Sequence, residues 1–130
     1  MIEVVNVVAK RILVVDDDAV IREVVSACLQ HLGKWNVLTA ASGKEALQQA
    51  TTESLDAIVL DVMMPEMDGI AVLQCLRSDP TTQNIPVVLL TAMSYLPNPD
   101  RLPKLGVVLT IFKPFDPVDF VRQIAQALQS

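Results

Sequence analysis

The chain has 130 residues, the size of one domain, and 52% of them are apolar against 19% charged, so it can bury a core and wholesale disorder is excluded. Its formal charge of −5 argues against a nucleic-acid grip, which needs clustered cations. Mean hydropathy is +0.42, yet no apolar run approaches the roughly 18–20 residues that span a bilayer; the longest, Ile85 to Met93, is broken by Pro86 and Thr91.

Residues 1–10 form a leader with valine pairs around Asn6. It lacks the basic start, long apolar stretch and cleavage site of a secretion signal, so a cytoplasmic location is expected. The leader is assigned no function, and the domain is drawn from residue 11 to residue 130. Ile12–Val15 is the first of five short apolar runs, rich in Val, Ile and Leu, that read as strands covered on both faces. Asp18 then opens a helix in which Ile21, Val24 or Val25, Cys28 and Leu32 recur at helical spacing until Gly33. Val37–Ala40 is the second run. Ser42 and Glu45 fit a capping box ahead of Ala46, Leu47 and Ala50. After the third run, Ala57–Leu60, Asp68 caps a helix carrying Ile70, Leu73 and Leu76, which stops before Asp79-Pro80. Val87–Leu90 is the fourth run.

Between Met93 and Gly106 lie Pro97, Pro99 and Pro103. A proline inside a helix costs about 3 kcal/mol, so a fourth helix is expected to be short, late or irregular. Val107–Phe112 is the fifth run, and Asp116-Pro117 starts a last helix with Phe120, Ile124 and Leu128 on its inner face. Five strands alternating with about five helices predict a doubly wound α/β fold, a parallel sheet with helices on both faces. Cys28 and Cys75 fall in helical segments without a CxxC pattern and are expected to be reduced, buried thiols. His31 stands near a helix end, where its charge would favour the dipole; alone it cannot build a multi-histidine metal site. Trp35 and Tyr95 are isolated and make no stacking platform.

Polar residues stand where the apolar runs finish: Asp16, Asp17 and Asp18 after the first, Asp61 after the third, Thr91 after the fourth and Lys113 after the fifth. In a parallel sheet these ends share one edge, where ligands of open α/β sheets bind. A single aspartate after a strand is usually a helix cap, and Asp18 reads as one. Caps do not explain Asp16, Asp17 and Asp61 together, because converging carboxylates repel unless a cation or proton intervenes. A hard divalent ion such as Mg²⁺ suits them. A lysine and a hydroxyl at the same edge supply a charge and a donor for an anion, and one carboxylate can act as the nucleophile of a phosphoryl transfer.

These stretches resemble the receiver domains of two-component response regulators. The resemblance is carried by Ile12-Leu-Val-Val-Asp-Asp17, Asp61-Val-Met-Met-Pro-Glu-Met-Asp-Gly69, Leu90-Thr-Ala92 and Lys113-Pro-Phe115, in the family's order and spacing from Arg11 to about Leu128. It implies a flavodoxin-like five-stranded sheet of order 2-1-3-4-5. It also implies that Asp61 accepts a phosphoryl group from a histidine kinase or phosphotransfer protein. By the same resemblance Asp17 would bind Mg²⁺ directly and Asp16 directly or through a water, with Asp61 and the Met63 carbonyl completing the protein's ligands. Lys113 would contact the phosphoryl group, Thr91 would be the switch hydroxyl, Lys113-Pro114 would be cis, and Pro65 and Gly69 would shape the neighbouring loop. The protein would be a phosphoacceptor rather than an enzyme acting on a separate substrate, and phosphorylation would switch its contact with a downstream protein. No nucleic acid or membrane partner is expected, nor an effector within these residues, since the last helix ends close to residue 130.

There are departures. Many relatives carry an aromatic residue three positions before the lysine; here Thr110 stands there, and Phe112, the nearest aromatic, is expected on the other face of its strand. Met63 and Met93 occupy positions where relatives place side chains able to orient an attacking water. Methionine has no donor for that task, which predicts slow self-dephosphorylation. The alternative function is a receiver-like interaction module that works without phosphorylation. An aspartyl phosphatase would be expected to carry a second acid where Met63 stands, and a nucleotide or flavin binder a glycine-rich loop in place of Asp16-Asp17-Asp18.

Overall fold

A computed structural model describes residues 10–92 and 99–128. Strands β1 (Arg11–Val15), β2 (Asn36–Ala40), β3 (Ala57–Asp61), β4 (Val87–Ala92) and β5 (Val107–Lys113) alternate with helices α1 (Ala19–His31), α2 (Gly43–Thr52), α3 (Gly69–Ser78) and α4 (Pro117–Leu128). All strand pairs are parallel and the order is β2-β1-β3-β4-β5. Strand alternation divides the core in two. Leu13, Val15, Ile58, Leu60, Val87 and Leu89 face α2 and α3 through Ala46, Ala50, Val72, Leu73 and Leu76. Ile12, Val14, Val59, Val88, Leu90 and Ile111 face α1 and α4 through Val25, Leu29, Phe120 and Ile124. Each such fully buried Val, Leu, Ile or Phe side chain contributes roughly 1.5–3 kcal/mol, and Phe120 also stacks at 4.5 Å, tilted by 31°, on Phe115.

The helix starts follow local chemistry. The Asp18 carboxylate accepts from the Val20 N–H at 2.9 Å, the Ser42 hydroxyl from the Glu45 N–H at 3.1 Å, and the Asp68 carboxylate from the Ala71 N–H at 2.9 Å. The Asp116 carboxylate does the same for the Val118 N–H at 2.9 Å.

The proline-rich segment departs most from a regular βα repeat. Its described part is two short 3₁₀ turns, Pro99–Arg101 and Pro103–Leu105, so the described chain has four α-helices where the alternation predicts about five. Pro103 opens the second turn, where its missing N–H costs nothing. Leu102, 5% exposed, anchors the segment in the α2–α3 core. Gly106 closes it at φ +81°, where a Cβ would meet the Arg77 guanidinium at 2.6 Å. That guanidinium donates to the Ile85 carbonyl at 2.5 Å and to the Gln83 carbonyl, tying α3 to the entry of β4.

Two sequence expectations are corrected. Cys28 is buried but Cys75 is exposed, because it lies on the outer side of α3, away from Val72, Leu73 and Leu76. Phe112 does not lie opposite Thr110: residues two apart on a strand share a face, and the register pairs Phe112 with Thr91 and Thr110 with Leu89. Trp35 packs against the α1–α4 core. The leader up to residue 9, Met93 and Tyr95 lie outside the described residues.

Candidate phosphoacceptor site

At the carboxyl ends of β1 and β3 the chain leaves in opposite directions, β1 toward α1 and β3 toward α3, and this reversal opens a crevice. Asp16 follows β1 directly and is 2% exposed, Asp61 is the last residue of β3 and is 5% exposed, and Asp17 points to solvent. One carboxylate oxygen from each lies within 4.8 Å of the other two. Lys113, the last residue of β5, brings its Nζ to 3.5 Å from Asp61 Oδ1 and 3.6 Å from Asp16 Oδ2. Thr91 is fully buried on β4, one residue past Leu90, the register partner of Asp61. Sequence reading thus named residues from four strands that the fold delivers to one edge.

The loops hold these groups in place. Asp16 Oδ1 accepts the Asp18 N–H at 2.9 Å, and the Arg22 guanidinium donates to the Asp16 carbonyl at 2.8 Å. Asp61 Oδ1 accepts the Met63 N–H at 3.3 Å. Gly69 lets the β3–α3 loop fold back: a Cβ there would stand 2.8 Å from both the Asp61 carbonyl and the Val62 Cα. The Lys113-Pro114 peptide is cis. Met63 itself is 56% exposed at the rim.

The electrostatics are unbalanced in the way an ion-binding site requires. Burial, reinforced by the neighbouring Asp16 charge, pushes the Asp61 carboxyl up to about 6, against the opposing pull of Lys113 and the Met63 N–H. Asp16 Oδ2 is buried without a hydrogen bond, Lys113 standing just beyond that range. One lysine does not neutralise three carboxylates. An orphaned buried carboxylate oxygen beside two other acidic side chains fits a hard divalent cation.

Residues 12–125 match the family described as the response regulator receiver domain. The chain belongs to that family. It is 38% identical over 118 residues, 91% of its length, to the probable transcriptional regulator ycf27 of Cyanidium caldarium. The chain spans about half the length of that relative and of its Cyanophora paradoxa counterpart, 46% and 48%. Among solved structures it is similar to the chemotaxis protein CheY4 of Vibrio cholerae, with TM-score 0.83 and 31% identity over 92% of this chain and 98% of that one. It is also similar to the receiver domain of the sensor histidine kinase PA1611 of Pseudomonas aeruginosa PAO1, which has a magnesium ion coordinated in its active-site cleft; the TM-score is 0.82, with 27% identity over 94% of this chain and 99% of that one. As a receiver domain, this chain belongs to the proteins of two-component signalling, and its acidic pocket with Lys113 is consistent with a phosphoacceptor. Among the described residues no helix is long and apolar enough to cross a membrane.

Two features beside the site were not singled out in the sequence. Arg22 braces the β1–α1 loop, signalled only by its position one turn after Asp18. An apolar rim also flanks Lys113: Val20 and Val24 of α1 and Val118 of α4 are exposed, and a slot of about 390 Å³ is lined by Ile21, Val24, Lys113, Pro114, Phe115 and Pro117. Its signal was the run of valines on both sides of α1, more than one buried stripe can use.

Proposed function

We propose that the Asp61 carboxylate is the atom group that accepts the phosphoryl group, in a site that uses Mg²⁺. The observation that supports this best is the placement of Asp61: nearly buried, 3.5 Å from the Lys113 ammonium, and within ligand distance of Asp16 and Asp17. Asp17, Asp61, the Met63 carbonyl and Asp16, directly or through water, would hold the ion. The magnesium-bearing PA1611 receiver supports that identity. Bound Mg²⁺ would supply positive charge to the transferring oxygens and keep Asp61 ionised.

In the transfer, an Asp61 oxygen attacks the phosphorus of a phosphohistidine on the partner. The new O–P bond forms as the P–N bond breaks, and the imidazole leaves with the electron pair and takes a proton. Lys113 faces the phosphoryl oxygens and offsets their charge. Thr91 then donates its hydroxyl to the phosphorylated carboxylate, favouring one of two pre-existing conformations. The donor is a histidine kinase or phosphotransfer protein that seats apolar side chains on Val20, Val24 and Val118.

Incubation with Mg²⁺ and acetyl phosphate, read by intact mass, tests this. One base-labile phosphoryl adduct per chain is expected, absent in Asp61→Asn and without Mg²⁺. Continuous phosphate release would favour a phosphatase, and no adduct would favour the phosphorylation-independent module.

A further inference from the structure

We propose that Arg22 is a positioning residue for the Mg²⁺ site, one that aims Asp17 at the ion by gripping the backbone just before it; this rests on the reading that the three aspartates bind Mg²⁺. Helix side chains lean toward the N-terminus, and Arg22, one turn into α1, reaches back over the β1–α1 loop. Its guanidinium donates to the Asp16 carbonyl at 2.8 Å. That carbonyl belongs to the peptide joining Asp16 to Asp17. The next peptide, joining Asp17 to Asp18, is held by its N–H, which Asp16 Oδ1 accepts at 2.9 Å. Both planar units flanking Asp17 are therefore fixed, and with them the direction in which its side chain leaves the chain.

Asp17 has no hold of its own. It is exposed, and among the described residues neither its carboxylate nor its N–H makes a hydrogen bond or ion pair. Asp16, by contrast, is committed at every polar atom but one. Its N–H donates to the Ala40 carbonyl at 3.2 Å, its carbonyl and Oδ1 are taken as above, and Oδ2 alone is left, buried without a hydrogen bond. The loop thus presents one carboxylate locked by its own bonds and one steered only through its neighbours. Arg22 supplies one of the two steering contacts.

Charge does not account for an arginine here. Among the described residues no carboxylate lies within ion-pair distance of its guanidinium, although three aspartates crowd the crevice. Its cation stands near the positive end of the α1 dipole and beside a pocket that would receive a second cation. On charge alone it opposes the ion, so the two explanations predict opposite signs. Removing a mere charge tightens Mg²⁺ binding. Removing the brace frees the Asp16–Asp17 peptide to rotate and loosens it. A hydrogen bond from a charged donor is strong enough for the second effect to win, by about tenfold in affinity.

A Mg²⁺ titration of the metal-free full chain, at a pH where Asp61 is ionised, followed by ¹⁵N NMR at the Asp17 and Met63 amides, tests this. Arg22→Met is expected to weaken Mg²⁺ binding about tenfold and, before any ion is added, to lower the order parameter of the Asp17 amide. Arg22→Lys, which keeps a donor for the carbonyl, is expected to stay within about threefold of wild type. With acetyl phosphate, the Mg²⁺ concentration giving half-maximal adduct should rise in Arg22→Met by the same factor as the binding constant, with a smaller fall in the maximal rate. Should Arg22→Met not fold, Arg22→Gln, whose amide stops short of the carbonyl, carries the same expectation. Binding in Arg22→Met that is unchanged or tighter, or Arg22→Lys as weak as Arg22→Met, overturns the positioning role and leaves the Mg²⁺ site standing. A wild-type chain that does not bind Mg²⁺ overturns that site and the role with it.

Discussion

Asp61 is held in opposing fields, and its ionisation reports the state of the whole pocket. Burial and Asp16 raise its carboxyl from 3.8 to about 6, so in metal-free protein the folded chain holds a proton that the unfolded chain releases. Stability linked to this group is fully present below about pH 4 and is lost as pH rises through 6. Mg²⁺ reverses the preference by pairing with the ionised form. In melting experiments the stabilisation by Mg²⁺ should accordingly be small near pH 4.5 and grow through pH 6–7; an equal effect at both ends would contradict the assignment. Met63 offers a second residue-scale test. Its exposed thioether cannot orient water at the acyl phosphate. An amide in its place gains a hydrogen bond worth about 1.4 kcal/mol, hence roughly tenfold in rate. Met63→Asn should shorten the lifetime of the phosphorylated form by that order, measured as adduct mass against time, and an unchanged lifetime would show that Met63 is only loop packing.

At the scale of elements, α1 and the start of α4 matter because they surround Lys113 without covering it. Val24→Asp places a charge on the apolar rim. It should slow phosphotransfer from a protein donor by about tenfold or more, the loss of one well-packed apolar contact, while leaving the reaction with acetyl phosphate unchanged. Equal slowing with both donors would place Val24 in the site itself. The five strands were legible because each is a short run rich in Val, Ile and Leu, most of them continuous, and those of β1, β3, β4 and β5 lead into a polar residue. Asp16, Asp61, Thr91 and Lys113 were legible for the same reason, since parallel strands end on one edge. What sequence did not reveal is tertiary. Which way Cys75 faces depends on the phase of α3. The position of Phe112 beside Thr91 depends on inter-strand register, including the shift near Val87 and Val88 that leaves Val108 on the outside. The prolines announced the break in the fourth helix, but not that Leu102 and the Arg77–Gly106 contact would hold the replacement turns in place.

The described chain is a parallel sheet whose acidic cluster, Thr91 and Lys113 share one edge. Two apolar cores fix β1, β3 and β4, and hence the spacing of Asp16, Asp61 and Thr91, while β5 contributes Lys113 and Phe112 from the sheet's margin. The most direct test of the account is a crystal structure of the chain with Mg²⁺ and beryllium fluoride, a mimic of an aspartyl phosphate. The ion is expected on Asp17, Asp61 and the Met63 carbonyl, with Asp16 direct or through a water, the fluoride group on an Asp61 oxygen, and Lys113 and Thr91 both against it. Beryllium fluoride bound elsewhere, or Asp61 turned away from Lys113 with no ion among the three aspartates, would contradict it.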